Sequence, residues 1–306
     1  MKGTPVSNQL RLSVCELTLP DTSFEEDLEL IAAAGAGGIG ISESKLGEGP
    51  DDQRVEAVRA SGLAAAGCLP ANISPLPLRH SSTDADEVMD AAMAFPGPDD
   101  VDERVALLCK SVERMTAFKP DSIAALTGSD QGYSGRDGWR VAVEAFQEVA
   151  RVAAAHGTRL ALEPTRSDLG VDLTFLHDIP DTIRFLDDVG SPALGLCYDF
   201  YHLWDTPDLL AHTERHADRI FSVQYSDYRK PQAILDRVLP GDGEMDIPAI
   251  LGALERGGFD GWYELELFSD DGRMGTELPD SLWKLPPSEL LTQAHTKIRD
   301  AWDARR

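Results

Sequence analysis

Hydrophobic patterning along this chain switches between two periods, and it does so from one end to the other. RLSVCELTLP (11–20) carries the dense apolar content of a buried strand, and SFEEDLELIAAAG (23–35) then spaces its apolar residues at helical intervals. Ser23 reads as the N-cap of that helix, with Glu26 completing a capping box. The switch recurs through strands at 37–44, 63–71, 121–128, 158–165, 193–200, 219–227 and 261–268. Helices are expected at 51–62, 101–118, 137–157, 179–190, 208–218, 245–258 and 288–306. Repeated strand–helix units imply a parallel sheet, and eight of them can close on themselves, so the expected fold is α/β, a (β/α)8 TIM barrel.

The connections are unequal. Helix-to-strand links are short (AGAGG, SGL, KPD, HGT, GSP), whereas strand-to-helix links are long. In such a barrel the long links gather on the C-terminal face, where active sites are built. The longest, within 72–100, reads as a lid, with a plain insertion as the bland alternative. No linker or composition break divides the chain, so residues 1–306 are expected to form a single domain.

Charge narrows the partners. A formal net charge of −25 repels phosphate backbones, which argues against nucleic acid. No apolar run reaches the roughly 18–20 residues of a membrane span, and MKGTPVSNQL lacks a signal core, so a cytoplasmic protein is expected. Cys15, Cys68, Cys109 and Cys197 form no CxxC pair and read as reduced, mostly buried thiols.

Strand parity locates the chemistry. In RLALEPT, Ala161 and Glu163 share a face opposite Leu160 and Leu162. Gly195, Cys197 and Asp199 alternate with Leu194, Leu196 and Tyr198, and Ser222, Gln224 and Ser226 alternate with Phe221, Val223 and Tyr225. Glu264 and Glu266 share a face opposite Tyr263, Leu265 and Leu267. The bulky faces suit the helices, and the small or polar faces suit the barrel interior. Glu163, Asp199, Gln224 and Glu266 are therefore expected to converge on one rim. Clustered buried carboxylates are costly unless a cation neutralises them, and an oxygen-rich set suits Mg2+ or Mn2+.

The segments LALEP, GLCYDFYH, SVQYSD, GDGEMDIPAIL and GFDGWYELELFSDD resemble the xylose isomerase-like TIM-barrel superfamily, in particular its sugar phosphate isomerase/epimerase group. That group includes inosose dehydratase-like and C-glycoside deglycosylase-like members. The resemblance spans roughly residues 11–270 and implies a metal held by Glu163, Asp199, Gln224 and Glu266, with Glu264 as a weaker candidate for the last position. Gln224 departs from the family's histidine and offers an amide oxygen instead. His202 matches the histidine of the family's DxxH pattern and is expected to contact a substrate oxygen.

The implied activity is that of a divalent-metal-dependent sugar or cyclitol isomerase or epimerase. The metal would grip an α-hydroxy ketone, Glu163 or Glu266 would abstract the proton beside the carbonyl, and the resulting enediolate would be reprotonated. Loss of a β-group from the same intermediate gives the alternative, a dehydratase or C-glycoside lyase. A non-catalytic or partner-dependent subunit is a further alternative, and a homo-oligomer or a second subunit is compatible with either. Arg166, Lys230 and Trp204 are candidate substrate contacts; His177, Arg79 and His80 are weaker ones, each as readily a solvated loop residue.

Overall fold

The computed structural model describes residues 9–80, 97–134, 137–169, 171–232 and 235–305. Eight parallel strands close a barrel in sequential order: β1 (Arg11–Cys15), β2 (Gly38–Ser42), β3 (Ala64–Leu69), β4 (Ile123–Ala125), β5 (Leu160–Leu162), β6 (Leu194–Asp199), β7 (Ile220–Tyr225) and β8 (Trp262–Leu265). The closing seam pairs Arg11 with Trp262 through Val14 with Leu265. Just beyond the seam, Thr18 Oγ1 donates to Leu265 O and accepts from Leu267 N, both at 3.1 Å.

The outer helices are α1 (Phe24–Ala33), α2 (Asp52–Ser61), α3 (Val101–Met115), α4 (Asp137–Ala155), α5 (Ile179–Val189), α6 (Leu209–His216), α7 (Ile247–Gly257) and α8 (Pro287–Asp303). Their starts follow local chemistry. Ser23 and Glu26 form the expected capping box on α1, and Asp100, Asp178 and Asp246 each accept a backbone N–H at the starts of α3, α5 and α7. Gly190 and Gly258 close α5 and α7 in the left-handed region, which a side chain would disfavour. No helix among the described residues is long and apolar enough to cross a membrane. All four cysteines are free, and three are buried.

The parity reading holds. Tyr198 reaches outward to Thr213 on α6, hydroxyl to hydroxyl at 2.8 Å, and Tyr263 meets the Trp302 ring on α8 edge-on at 5.5 Å. The strands are shorter than their apolar runs. The segment 158–165 forms a strand only over Leu160–Leu162, and β8 stops at Leu265, one residue before Glu266.

Two small ribbons decorate the C-terminal face. Arg79–His80 pairs antiparallel with Val171–Asp172, and Asp227–Tyr228 with Arg237–Val238. The second ribbon is anchored by buried Asp227, whose carboxylate accepts the backbone N–H of Gly241, Gly243 and Met245. Of the expected lid at 72–100, residues 81–96 lie outside the described residues.

Candidate active site and metal centre

Asp199 serves two elements. It ends β6, and its side chain caps the one-turn helix Phe200–Leu203 by accepting Tyr201 N–H at 2.9 Å. The cap fixes where the next three residues go, so His202 lands beside the carboxylate. His202 Nε2 lies 3.6 Å from both Asp199 Oδ2 and Glu163 Oε1. Ligand atoms of Glu163, Asp199 and His202 fall within 4.8 Å of one another, and all three residues are buried.

Gln224 and Glu266 join the same rim. Gln224 Nε2 donates to Glu266 Oε1 at 3.0 Å, while Cys197 Sγ donates to Gln224 Oε1 at 3.3 Å. This orientation follows from chemistry, because a carboxylate only accepts and so draws the amide nitrogen. Glu264 sits one layer deeper, directly across from Gln224 in register. Gly40 makes room for it: a Cβ there would lie 2.2 Å from Glu264 Oε2.

One residue at the centre escaped sequence reasoning. Arg237, on the second ribbon, donates through Nη1 to Asp199 Oδ2 at 2.8 Å and to Glu266 Oε2 at 3.2 Å. Its Nη2 faces His202 Nε2 at 3.2 Å. The guanidinium is flanked by the Tyr201 ring at 4.5 Å and the Phe268 ring at 5.1 Å. The signal was a lone arginine in the apolar run ILDRVLP, close to a group of carboxylates that lacked a counter-charge.

The electrostatics follow from burial. Glu163 is held well above the usual carboxylate range, by burial first and then by Glu266 and Asp199. Asp199 is raised by burial, against the pull of Arg237. Glu266 is pushed up to about 7 by burial, partly offset by Arg237, and Glu264 to about 8 by burial and then Glu266. His202 is held well below its ordinary value by burial and by Arg237, which keeps the imidazole neutral. Burial opposes the charge on Arg237, but Asp199 and Glu266 outweigh it and hold the guanidinium protonated.

Four buried acids thus face one fixed cation. The donor set fits a divalent ion: the acids exceed the counter-charge, they offer hard oxygen atoms, and the imidazole beside them is unprotonated. Any residual excess of negative charge in the cluster is what such an ion neutralises.

The other expected contacts lie further out. Arg166 donates its backbone N–H to His202 Nδ1 at 3.4 Å, but its guanidinium is paired with Asp168 at 2.9 Å and Asp205 at 3.2 Å. Trp204 packs on Tyr228, with ring centroids 4.8 Å apart, and Lys230 is exposed; neither lines the cavity over the site. His177 is tied by Nδ1 to Thr165 O at 2.8 Å, and Arg79 pairs with Asp99 at 2.9 Å.

Comparison with known proteins agrees with this architecture. The chain is 25% identical over 148 residues to inosose dehydratase from Salmonella agona (strain SL483), covering 43% of this chain and 47% of that protein. It thus spans about half the length of the curated relatives it matches. Among solved structures, IolI protein with a bound zinc atom superposes with a TM-score of 0.74 at 18% identity, covering 97% of this chain and 99% of IolI. An L-ribulose 3-epimerase superposes with a TM-score of 0.74 at 19% identity, covering 96% and 95% of the two chains. At these identities the likeness is one of fold. The model of the xylose isomerase-like TIM barrel family matches residues 28–296, nearly the whole barrel, and the chain belongs to that family.

Proposed function

We propose that this protein is an enzyme that abstracts a proton beside the carbonyl of a small hydroxylated carbonyl compound, with isomerisation or epimerisation as the outcome. The observation that carries the reading is the convergence of Glu163, Glu266 and neutral His202 around Arg237 in one cavity, with buried Asp199 paired to Arg237 behind them. Glu163, Asp199, Gln224 and Glu266 would hold a divalent ion, Mg2+ or Mn2+, with His202 within reach. As the chain stands, Gln224 points its nitrogen at Glu266, and a half-turn of the amide presents its oxygen instead. A bound divalent ion supplies Lewis-acid polarisation of a carbonyl oxygen.

The two glutamates differ in freedom. Both oxygens of Glu266 are engaged, one by Gln224 and one by Arg237. Among the described residues, the Glu163 carboxyl meets only His202 Nε2, at 3.6 Å, and its proton affinity is raised. The less engaged carboxyl is the freer to move a proton, so Glu163 is the base and Glu266 the positioned partner. With Nδ1 accepting the Arg166 N–H, neutral His202 has its Nε2–H to offer a substrate oxygen. Arg237 holds charge beside the oxygen on which negative charge builds.

Elimination of water is the second reading, and the sequence match to inosose dehydratase favours it. One experiment addresses both. Candidate hydroxy ketones are incubated with the protein and Mn2+ in D2O and followed by NMR. Exchange of the hydrogen beside the carbonyl is expected, and the product distinguishes rearrangement from loss of water. No exchange with any hydroxy ketone, at full metal occupancy, would overturn the reading.

A further inference from the structure

The cavity over the site has two chemically different halves. The charged floor comes from the ends of β5 to β8, as Glu163, His202, Arg237 and Glu266. The opposite wall comes from the ends of β1, β3 and β4 and their loops, as Leu17, Leu69, Ile73 and Leu126. Leu173 joins that wall. Ile73, Leu126 and Leu173 form their own apolar cluster, distinct from the main core, with Leu69 and Leu169 packed against it. The barrel does not need this cluster to bury the faces of its helices. It stands at the mouth, and Leu17, Leu69 and Leu169 keep part of their surface open there.

A polyol is poorly matched to such a wall. Each hydroxyl facing leucine gives up its hydrogen bonds to water and finds no replacement. Sugar rings are also commonly received on an aromatic face, yet Trp204, the tryptophan nearest the site in sequence, packs on Tyr228 and does not line the cavity. Phe268 and Tyr201 line it, but Arg237 lies over both rings, at 5.1 Å and 4.5 Å. Among the described residues, the polar lining is confined to one side.

We propose that the substrate is amphipathic: a hydroxy-carbonyl head that faces Glu163, His202, Arg237 and Glu266, joined to a hydrocarbon or aryl portion that lies against Leu17, Leu69, Ile73 and Leu126. This rests on the reading of the floor given above and adds the class of molecule it serves. The halves divide the work. The floor recognises and activates the carbonyl, and the wall supplies affinity and keeps water from the reacting carbons.

Three probes of matched chemistry test it: hydroxyacetone (the head alone), 2-hydroxyacetophenone (the head with a phenyl group) and an inosose (a head with hydroxyls throughout). Binding to the full chain is measured by calorimetry with Mn2+ present. The phenyl compound is expected to bind at least tenfold more tightly than either of the others. Leu17→Gln and, separately, Leu69→Gln are expected to remove most of that advantage while leaving hydroxyacetone binding within about twofold. An inosose that binds as tightly as the phenyl compound, or a phenyl advantage untouched by both substitutions, would overturn the proposal. Failure of the underlying reading looks different, since it would leave the order of affinities in place with no deuterium exchange beside the carbonyl. Absence of binding by all three probes would overturn both.

Discussion

The guanidinium of Arg237 donates to the carboxylate of Asp199 at 2.8 Å, joining a ribbon outside the barrel to the end of a strand inside it. The same nitrogen reaches Glu266 at 3.2 Å. Arg237 is thus the fixed positive charge about which the acids of β6 and β8 are arranged, with neutral His202 at its other nitrogen.

Replacing Arg237 with Met should leave those acids without their internal cation. Activity in the D2O exchange assay is expected to fall by about 100-fold or more, since charge-assisted contacts of this kind carry much of transition-state stabilisation. Arg237→Lys should restore little, because an ammonium lacks the fork that reaches two carboxylates and an imidazole together. Wild-type rates in either variant would remove Arg237 from the chemistry.

Asp199→Ala should strip the divalent ion and abolish exchange while far-UV circular dichroism stays that of the wild type. Loss of the cap on Phe200–Leu203 should cost about 0.5–2 kcal/mol of stability. Asp199→Asn keeps an acceptor for Tyr201 N–H, so it should recover part of that stability without recovering the ion. Elemental analysis of both variants is the check, and full metal occupancy in Asp199→Ala would sink the ligand assignment.

Stability should decline as the solution is made alkaline, and Glu16 gives the sign. Burial pushes this carboxyl from its ordinary 4.5 up to about 9, so the folded chain keeps a proton that the unfolded chain releases. Its contribution is complete below about pH 4.5 and is lost progressively as pH rises to about 9, by at most about 1.4 kcal/mol per pH unit. Denaturant midpoints measured across that window should fall for the wild type and fall less steeply for Glu16→Gln.

Gly40→Ala tests the floor of the barrel. The added methyl would meet Glu264 Oε2 at 2.2 Å, inside a packed interior. A loss of about 1–3 kcal/mol is expected from overpacking. Gly40→Ala with Glu264→Ala should lose less than the sum of the single changes, as neighbours sharing one space do. Additive losses in a double-mutant cycle would mean that the methyl is accommodated elsewhere.

Much of this architecture was legible because two periods carry it. The alternation of strand and helix implies eight parallel strands, and parity puts Glu163, Asp199, Gln224 and Glu266 on one rim, where the fold brings Gln224 to Glu266 and Glu163 beside Asp199. What was lost was lost for physical reasons. Parity cannot separate residues two apart, so Glu264 and Glu266 competed for one role until the fold put Glu264 a layer deeper, beside Gln224. Arg237 lies on a two-residue ribbon, where no period announces a facing direction. Trp204 and Lys230, expected as substrate contacts, do not line the cavity. Apolar runs also overstate strand length: within 158–165 the strand is Leu160–Leu162, and beyond Glu163, whose N–H still reaches Ala125 O at 2.9 Å, Pro164 has no N–H to offer the sheet.

The seam between β1 and β8 has a consequence for how the protein is made. A ribosome releases β1 first and β8 some 250 residues later, so the N-terminal strand waits with one edge open through nearly all of synthesis. Cys15 and Thr18, which meet Glu266 and the backbone around it, have no counterpart until that moment. Glu163 and Asp199, at the ends of β5 and β6, emerge earlier and wait without Glu266. Pairing so distant in sequence is slow and exposes unfinished edges to other chains. The nascent polypeptide therefore completes the acid cluster in the same late step that seals the barrel, and a chain stalled short of Glu266 would carry neither.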